Sequence, residues 1–250
     1  MGALHEGHLS LLRLARAEAG FVVVSIFVNP LQFGPNEDFT RYPRREQEDL
    51  AMLSREAVDI SYLPAASELY PPDFSTSVEV GGVTEGGEGE ARPGHFHGVA
   101  TVVVKLFLRV APDVAVFGRK DLQQVAVIRR MIRDLDFPIR LVVGETVREA
   151  DDLAMSSRNA YLSSEDRLVA AALPRALFAA RDAAASGERD PGALAENVRR
   201  QLEGAGLRVD YVQLVDADTM RPLELALPGA AIAAAVRVGK TRLIDNVLVP

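Results

Sequence analysis

The sequence predicts an α/β protein, in which a mostly parallel sheet has helices on both faces and is followed by a smaller α+β C-terminal domain. Two observations support this fold class. Helical and buried-strand patterns alternate along residues 1–146, and three strand patterns follow one another at the end of the chain. The 250 residues, of which 48% are hydrophobic, suffice for the core of one large domain or two modest ones.

The elements of the first part follow from hydrophobic spacing. Leucines and alanines recur at helical spacing from His8 to Ala19, and Gly20 supplies the stop. The β-branched and aromatic run FVVVSIFV, at 21–28, predicts a strand buried on both faces. The patterns that follow predict, in order, a helix over 44–57, strands over 58–63 and 76–80, a helix over 98–110, a strand over 113–118, a helix over 122–135 and a strand over 139–143. The glycine- and glutamate-rich segment 81–94 is expected to be a mobile loop.

A second region begins near residue 146, so the predicted domains are 1–146 and 147–250. An alanine-rich helix is predicted over 163–187, with Ser163 as its cap and Asp166 in the place of the capping-box glutamate. A further helix over 190–206 has Asp190 as its cap and Pro191 in its first turn. The three strand patterns, over 208–217, 230–238 and 241–249, are consecutive and are expected to pair antiparallel.

Charge and composition exclude several classes of protein. The net charge of −7 argues against a nucleic-acid-binding surface, and the absence of cysteine excludes a disulfide framework and a thiolate metal site. No apolar run approaches the roughly 20 residues of a membrane span, and no signal peptide is visible. We therefore expect a cytoplasmic enzyme or binding protein whose partners are small molecules.

Two of the four histidines, His5 and His8, stand at the start of the first predicted helix with Gly7 between them. Read alone, such a pair is more often two capping or surface side chains, and a metal site would need further ligands. Gly7 favours another interpretation, because a missing side chain lets a phosphate approach the amides of a helix N-terminus. The histidines could then donate hydrogen bonds to a phosphoryl group.

The segment FGRKDLQQ, at 117–124, links a predicted strand to a predicted helix. Gly118 would permit a tight turn, and Lys120 offers a charge to a phosphate. Asp121 can cap the helix, and Gln124 lies one turn along the same face. Taken singly, the segment favours an ordinary strand-to-helix turn with solvated Arg119 and Lys120.

Two more segments carry polar side chains that could bind a phosphate or a small polar molecule. AMSSRN, at 154–159, sets two hydroxyls beside a guanidinium, which together make a compact set of phosphate donors. FVNPLQFG, at 27–34, places Asn29 and Gln32 at the end of the first buried strand. Read separately, the first is a serine-rich loop and the second a turn set by Asn-Pro.

The placement of the four segments favours a binding site over the ordinary structural interpretation of each segment. An open parallel sheet gathers the carboxyl ends of its strands at one edge, so the segments are expected to meet there. Together they describe a nucleoside triphosphate site beside a pocket for a small polar molecule, without a Gly-Lys-Ser/Thr phosphate loop. Because no cysteine or base-paired serine offers a nucleophile, the expected chemistry is attack on the α-phosphate by a bound substrate.

Six segments in this order resemble the pantothenate synthetase (pantoate–β-alanine ligase) family over the whole chain. They are MGALHEGHLSLL, VVSIFVNPLQFG, RPGHFHGV, VFGRKDLQQ, TVREADDLAMSSRNAYL and TRLIDN. His-x-Gly-His alone is shared with the wider superfamily of nucleotidylyltransferases and class I aminoacyl-tRNA synthetases. The family resemblance implies a Rossmann-like fold and a two-step reaction. ATP and pantoate give pantoyl adenylate and pyrophosphate, and the amine of β-alanine then displaces AMP to form pantothenate. It also implies Mg²⁺ and a cytoplasmic homodimer.

The same resemblance implies roles for single residues. His5 and His8 match the signature pair on the ATP phosphates, with His8 in the place of the usual proton donor. The expected catalytic residues are His5, His8, Lys120 and Arg158. The expected substrate-binding residues are Gln32, Gln124, Asn29 and Arg92. The implied ATP-binding set is Met1, Gly2, Ala3, Leu4, His5, Glu6, Gly7, His8, Gly118, Arg119, Lys120, Asp121, Val147, Met155, Ser156, Ser157 and Arg158. The positioned charges of the catalytic set are expected to stabilise the transition state, and the small C-terminal domain is expected to be the lid that excludes water.

Two other functions stay open. A class I aminoacyl-tRNA synthetase also forms acyl adenylates with such a histidine motif. It would require a tRNA-binding domain and usually a Lys-Met-Ser-Lys-Ser-type loop, whereas this chain is short and acidic and carries MSSRN. The other alternative is a nucleotide-binding relic that no longer catalyses.

The resemblance also implies a buried central strand ahead of Met1. Without it, backbone groups on both neighbouring strands would lack partners, so the chain is expected to be poorly stable. The natural protein is accordingly expected to extend about 30 to 40 residues upstream, enough for that strand and a leading helix.

Overall fold

Helices and parallel strands alternate through the first part of the chain, in a computed structural model that describes residues 2–35 and 37–250. The helices of this part are α1 (Glu6–Glu18), α2 (Glu46–Arg55), α3 (Ala66–Leu69), α4 (Gly87–Ala91), α5 (His95–Val110) and α6 (Leu122–Asp134). The strands are β1 (Val23–Ser25), β2 (Ile60–Tyr62), β3 (Val114–Gly118) and β4 (Arg140–Gly144). Short 3₁₀ helices cover Pro30–Gln32, Arg119–Asp121 and, later in the chain, Ser157–Tyr161.

The parallel strands form two separate pairs. β1 pairs with β2, and β3 pairs with β4, both in parallel, as the alternation of helix and strand predicts. The two pairs do not join into one sheet in the described residues, and β1 and β3 line a common cavity of about 630 Å³. This cavity continues to the carboxyl ends of the strands, where the candidate site lies.

The last part of the chain comprises α7 (Ser164–Ala170), α8 (Ala172–Ala185), α9 (Pro191–Gly204), β5 (Arg208–Asp216), β6 (Ala230–Val238) and β7 (Thr241–Leu248). The three strands form an antiparallel sheet in sequence order, which confirms the prediction. Side chains alternate across β6: Ile232 and Ala234 pack with α8 and α9, whereas Ala231 and Ala233 pack with the core around α5 and α6. β6 therefore carries apolar residues on both faces because both faces are covered.

The predicted helix over 163–187 is two helices, α7 and α8. Pro174 lies in the first turn of α8, where its ring would clash with the carbonyl of Ala170 in a continuous helix and where it has no N–H to donate. Both predicted caps are confirmed. Ser163 accepts the N–H of Asp166 at 3.0 Å, and Asp190 accepts that of Gly192 at 2.8 Å.

Two predictions for the segment between β2 and α5 are wrong. Residues 76–80 form no strand, since the N–H of Val78 donates to the hydroxyl of Thr101 at 3.0 Å instead of to a neighbouring strand. Residues 81–94 are not only loop, because they contain α4, whose Glu88 is buried. No helix in the described ranges combines the length and the apolar character needed to span a membrane.

Candidate active site

The two histidines of the first motif contact each other at the N-terminus of α1. His5 occupies the cap position, and the ring centroids of His5 and His8 lie 4.0 Å apart. The backbone N–H of His5 donates to Nδ1 of His8 at 3.4 Å. Since Nδ1 of His8 accepts, the neutral ring carries its proton on Nε2 and can donate from that atom.

Both rings are neutral near pH 7. Burial is the main cause that lowers the pKa of His8 from its ordinary value of 6.5 to about 3, and repulsion from the neighbouring His5 ring, when that ring is protonated, is the second. Burial and the charge of Lys120 also lower the pKa of His5. In the free protein His8 is therefore a donor of a neutral hydrogen bond rather than an imidazolium.

An aspartate far away in the sequence holds the residues that precede this motif. The carboxylate of Asp49, on α2, accepts the backbone N–H groups of Ala3 and Leu4 at 2.9 and 2.7 Å. Asp49 is buried, and Ala3 has a left-handed backbone with φ of 49°. Asp49 could not be predicted from the sequence, since nothing near it in the chain marks it as a partner of the histidine motif.

The structure gives a steric reason for glycine at position 7, which stands beside the predicted approach of a phosphate. A Cβ at this position would lie 3.0 Å from ring atoms of His5 and 3.4 Å from Cβ of Met155. The absent side chain thus makes room for the His5 ring and for the neighbouring segment.

Lys120 lies on the 3₁₀ turn between β3 and α6. Two details of the prediction for this turn are wrong. Gly118 has an ordinary extended backbone, with φ of −89°, so the turn does not require glycine there. Asp121 occupies the cap position of α6, but its side chain forms no cap and instead lies 3.5 Å from Nζ of Lys120. Burial opposes ionisation of Asp121, and Lys120 outweighs it, so the pKa of Asp121 is lowered.

Arg158 lies in the short 3₁₀ helix Ser157–Tyr161 and lines the same cavity. The hydroxyl of Ser156 accepts the N–H of Arg158 at 3.2 Å, which starts the 3₁₀ helix. The guanidinium donates to both carboxylate oxygens of Asp38 at 2.9 Å and lies over the ring of Tyr42. Ser157 donates to the carbonyl of Ala3 at 3.3 Å, so the two ATP-binding segments predicted from the sequence meet.

Asn29 positions Gln32. Its Nδ2 donates to Oε1 of Gln32 at 3.2 Å and to the carbonyl of Gly98 at 3.0 Å, while Tyr70 donates to its Oδ1 at 2.8 Å. Asn29 is buried and its hydrogen-bonding groups are engaged. Asn29 thus holds the side chain of Gln32, which lines the cavity.

Arg92 is also held within the protein. It donates from Nε to Glu37 at 2.7 Å and from Nη2 to the carbonyl of Gln32 at 3.2 Å. His95 contacts the same carbonyl through Nδ1 at 2.9 Å, and burial together with Arg92 lowers the pKa of His95 to about 4. Arg92 and His95 thus support the backbone at Gln32, a function for His95 that the sequence analysis did not assign.

One cavity of about 630 Å³ brings most of the predicted residues together. It is lined by His5, Gly7, His8, Asn29, Gln32, Arg92, Gly118, Lys120, Asp121, Gln124, Val147, Met155, Ser156, Ser157 and Arg158. Gly2, Ala3, Leu4, Glu6 and Arg119 do not line it. Gly2, Ala3 and Leu4 are buried. Glu6 forms an ion pair with Arg13, and Arg119 forms one with Glu145. Met1 lies outside the described residues.

A family model described as pantoate-beta-alanine ligase matches residues 1–248. The chain belongs to the pantoate-beta-alanine ligase family. It is therefore a ligase that joins pantoate to β-alanine, and the two alternative functions are not favoured.

Relatives of this family match nearly the full chain. A pantothenate synthetase of Acidiphilium cryptum is 55% identical over 100% of this chain and 89% of its own length, and one of Acidobacterium capsulatum is 56% identical over 99% and 83%. The crystal structure of pantothenate synthetase from Thermus thermophilus is 49% identical and superposes with a TM-score of 0.96, covering 100% of this chain and 91% of that one. A pantoate-beta-alanine ligase from Francisella tularensis, complexed with beta-gamma ATP and beta-alanine, is 34% identical with a TM-score of 0.83, covering 99% and 87%.

Proposed function

We propose that the 630 Å³ cavity binds ATP and pantoate side by side and forms pantoyl adenylate before β-alanine enters. The observation that carries this proposal is the meeting of two kinds of side chain in one cavity: His5, His8, Lys120 and Arg158 at its phosphate side, and the neutral amides of Gln32 and Gln124 beside them. Cations and hydrogen-bond donors suit a triphosphate, and neutral amides suit the hydroxyls and carboxylate of pantoate.

The first step needs little acid–base chemistry. A carboxylate oxygen of pantoate attacks the α-phosphorus, and the bond from that phosphorus to the pyrophosphate oxygen breaks. The carboxylate is already ionised near pH 7, so no base is required. Lys120 and Arg158 stabilise the charge that develops on the phosphoryl oxygens and on pyrophosphate, and His8 adds a hydrogen bond from Nε2.

In the second step the free amine of β-alanine attacks the acyl carbon, and the bond from that carbon to the AMP oxygen breaks. The nitrogen loses one proton as the amide forms. Water would hydrolyse the mixed anhydride, so the site must stay closed until the amine arrives. We assign this closure to residues 147–250, the proposed lid domain, which brings Met155–Arg158 against the histidine motif.

Mg²⁺ fits the site as a partner of the triphosphate rather than as a resident metal. Within residues 2–35 and 37–250 no group of three or more His, Asp or Glu side chains could hold a metal ion. Mg²⁺ commonly takes most of its ligands from phosphates and water, with one or two carboxylates. Asp121 is the carboxylate that would complete such a set, and the bound ion would neutralise phosphate charge.

The family resemblance extends the proposal to a cytoplasmic homodimer. Sedimentation of the purified protein tests the dimer directly, and an observed mass of about 54 kDa is the expected result, twice the 27.1 kDa of the chain.

The nucleotide products test the reaction. The protein should release pyrophosphate only when ATP, Mg²⁺ and pantoate are all present, and AMP and pantothenate should accumulate together only when β-alanine is added. Formation of ADP in place of AMP would contradict the adenylate mechanism, because ADP would place the attack on the γ-phosphate.

A further inference from the structure

Asn246 holds the turn that carries Lys120. Its Nδ2 donates to the carbonyls of both Arg119 and Lys120, at 3.0 Å each. Asn246 lies on β7 and is only 4% exposed. Because both hydrogens of one amide are committed to consecutive carbonyls, the side chain fixes the turn at the point where Lys120 leaves the backbone.

The preceding residue, Asp245, holds the other phosphate segment. Its carboxylate, which is 2% exposed, accepts hydrogen bonds from Arg148 at 2.7 and 2.9 Å. Arg148 also donates to the carbonyl of Asp152 at 2.9 Å and forms a backbone bridge with Ala154, the residue before Met155. Arg148 therefore connects β7 to the start of the segment that ends in Arg158.

The carboxylate of Asp245 also contacts the backbone of the next residue. The backbone N–H of Asn246 donates to Oδ1 of Asp245 at 2.8 Å. A carboxylate and an amide buried side by side stabilise a strand less well than apolar residues of the same size, even when they are hydrogen-bonded. Packing alone would therefore favour apolar residues at positions 245 and 246. The polar pair instead suits a need to hold the neighbouring segments in place by hydrogen bonds.

We propose that Asp245 and Asn246 are positioning residues that set the separation of Lys120 and Arg158 across the site. Asn246 acts through the 119–120 carbonyls, and Asp245 acts through Arg148. This inference rests on the proposed function, because it assigns the pair to catalysis only through Lys120 and Arg158. It gives a function to the segment TRLIDN, at 241–246, for which the sequence analysis offered none.

The test measures pyrophosphate release in a single turnover at saturating ATP and pantoate, for Asn246→Ala and Asn246→Asp. The aspartate keeps the size of the side chain but has no hydrogens to donate. Each variant should slow the step roughly 10- to 100-fold, because a displacement of about 1 Å at a reacting group can cost that much. Pantoate affinity, measured by calorimetry, should stay unchanged because Gln32 and Gln124 are untouched.

A double-mutant cycle separates positioning from a general structural effect. In a Lys120→Ala background, Asn246→Ala should cause no further loss, because the group that it positions is already absent. The matched control is Val247→Ala, which shortens a buried side chain on the same strand, lowers stability and should leave the rate of the step unchanged well below the unfolding temperature.

Three results would overturn the inference: undiminished release by both Asn246 variants, losses that multiply in the double mutant, or failure of both variants to fold, which would make the residue a requirement of the fold. Absence of pyrophosphate release from the unaltered protein would instead overturn the proposed function.

Discussion

Arg158 donates from Nε and Nη2 to the two carboxylate oxygens of Asp38, at 2.9 Å each, although the residues are 120 positions apart in sequence. Burial alone would raise the pKa of Asp38, but the bond from Arg158 outweighs it, and the pKa is lowered. Arg158 is thus already paired in the structure. A triphosphate that engages this guanidinium must compete with the Asp38 carboxylate.

Asp38→Asn should therefore tighten ATP binding. Removing the negative charge weakens the competing pair, and we expect a roughly five-fold lower Kd, equivalent to about 1 kcal/mol. Isothermal titration calorimetry measures the change, and Asp73→Asn, at an exposed carboxylate, is the matched control. Weaker binding would mean that Asp38 orients Arg158 for the phosphate rather than competing for it.

Lys120→Ala should slow adenylate formation about 10²- to 10³-fold, because the amine stabilises charge that appears only in the transition state. Its ATP affinity should fall much less than its rate. Single-turnover kinetics separate the two effects. Lys240→Ala, at the exposed turn between β6 and β7, serves as the control for loss of a lysine. An unchanged first step in the Lys120 variant would remove this residue from the mechanism.

Gln32→Ala and Gln124→Ala should weaken pantoate binding far more than ATP binding. Each removes a neutral hydrogen-bonding group from the cavity, with an expected cost of about 1 to 1.5 kcal/mol in pantoate affinity. Calorimetry with each substrate gives the comparison, and Gln201→Ala, on the exposed side of α9, is the control. Equal losses for both substrates would show that the pantoate pocket has been assigned to the wrong side of the cavity.

The free energy of unfolding should fall as the pH decreases from about 6.5 toward 3. The pKa of His8 is about 3 in the folded chain and near 6.5 when it is unfolded, so the unfolded chain binds more protons in this range. His8→Gln should flatten the pH dependence by up to about 1.4 kcal/mol per pH unit.

Urea titrations at pH 5 and pH 7 measure this slope. The matched control is His97→Gln, which replaces an exposed histidine outside the cavity. A slope equal to that of the unaltered protein in His8→Gln would show that the ring is accessible to protons in the folded state.

Elements whose pattern is local could be predicted from the sequence. The leucine and alanine spacing of α1, the pattern DVAVFG of β3 and the caps at Ser163 and Asp190 all depend on neighbouring residues, and each is found in the structure. The strand predicted at 76–80 failed because strand formation requires a partner, and a side chain took its place.

The residues that fix the site could not be predicted in the same way. Asp49 is 46 positions from Ala3, Asp38 is 120 from Arg158, and Asn246 is 126 from Lys120. Each is an ordinary polar residue in its own neighbourhood, and only the fold places it against its partner. The residue types suited to a phosphate were visible in the sequence, whereas the contacts that orient them were not.

In the proposed mechanism the pantoate carboxylate attacks the α-phosphate of ATP, and an isotope label follows the oxygen that makes this attack. Pantoate labelled with ¹⁸O in both carboxylate oxygens should transfer one labelled oxygen to AMP for each pantothenate formed, because the oxygen that attacks phosphorus leaves with AMP when the amine displaces it. Mass spectrometry of the AMP gives the count. One ¹⁸O per AMP is the predicted result, and unlabelled AMP would contradict the account.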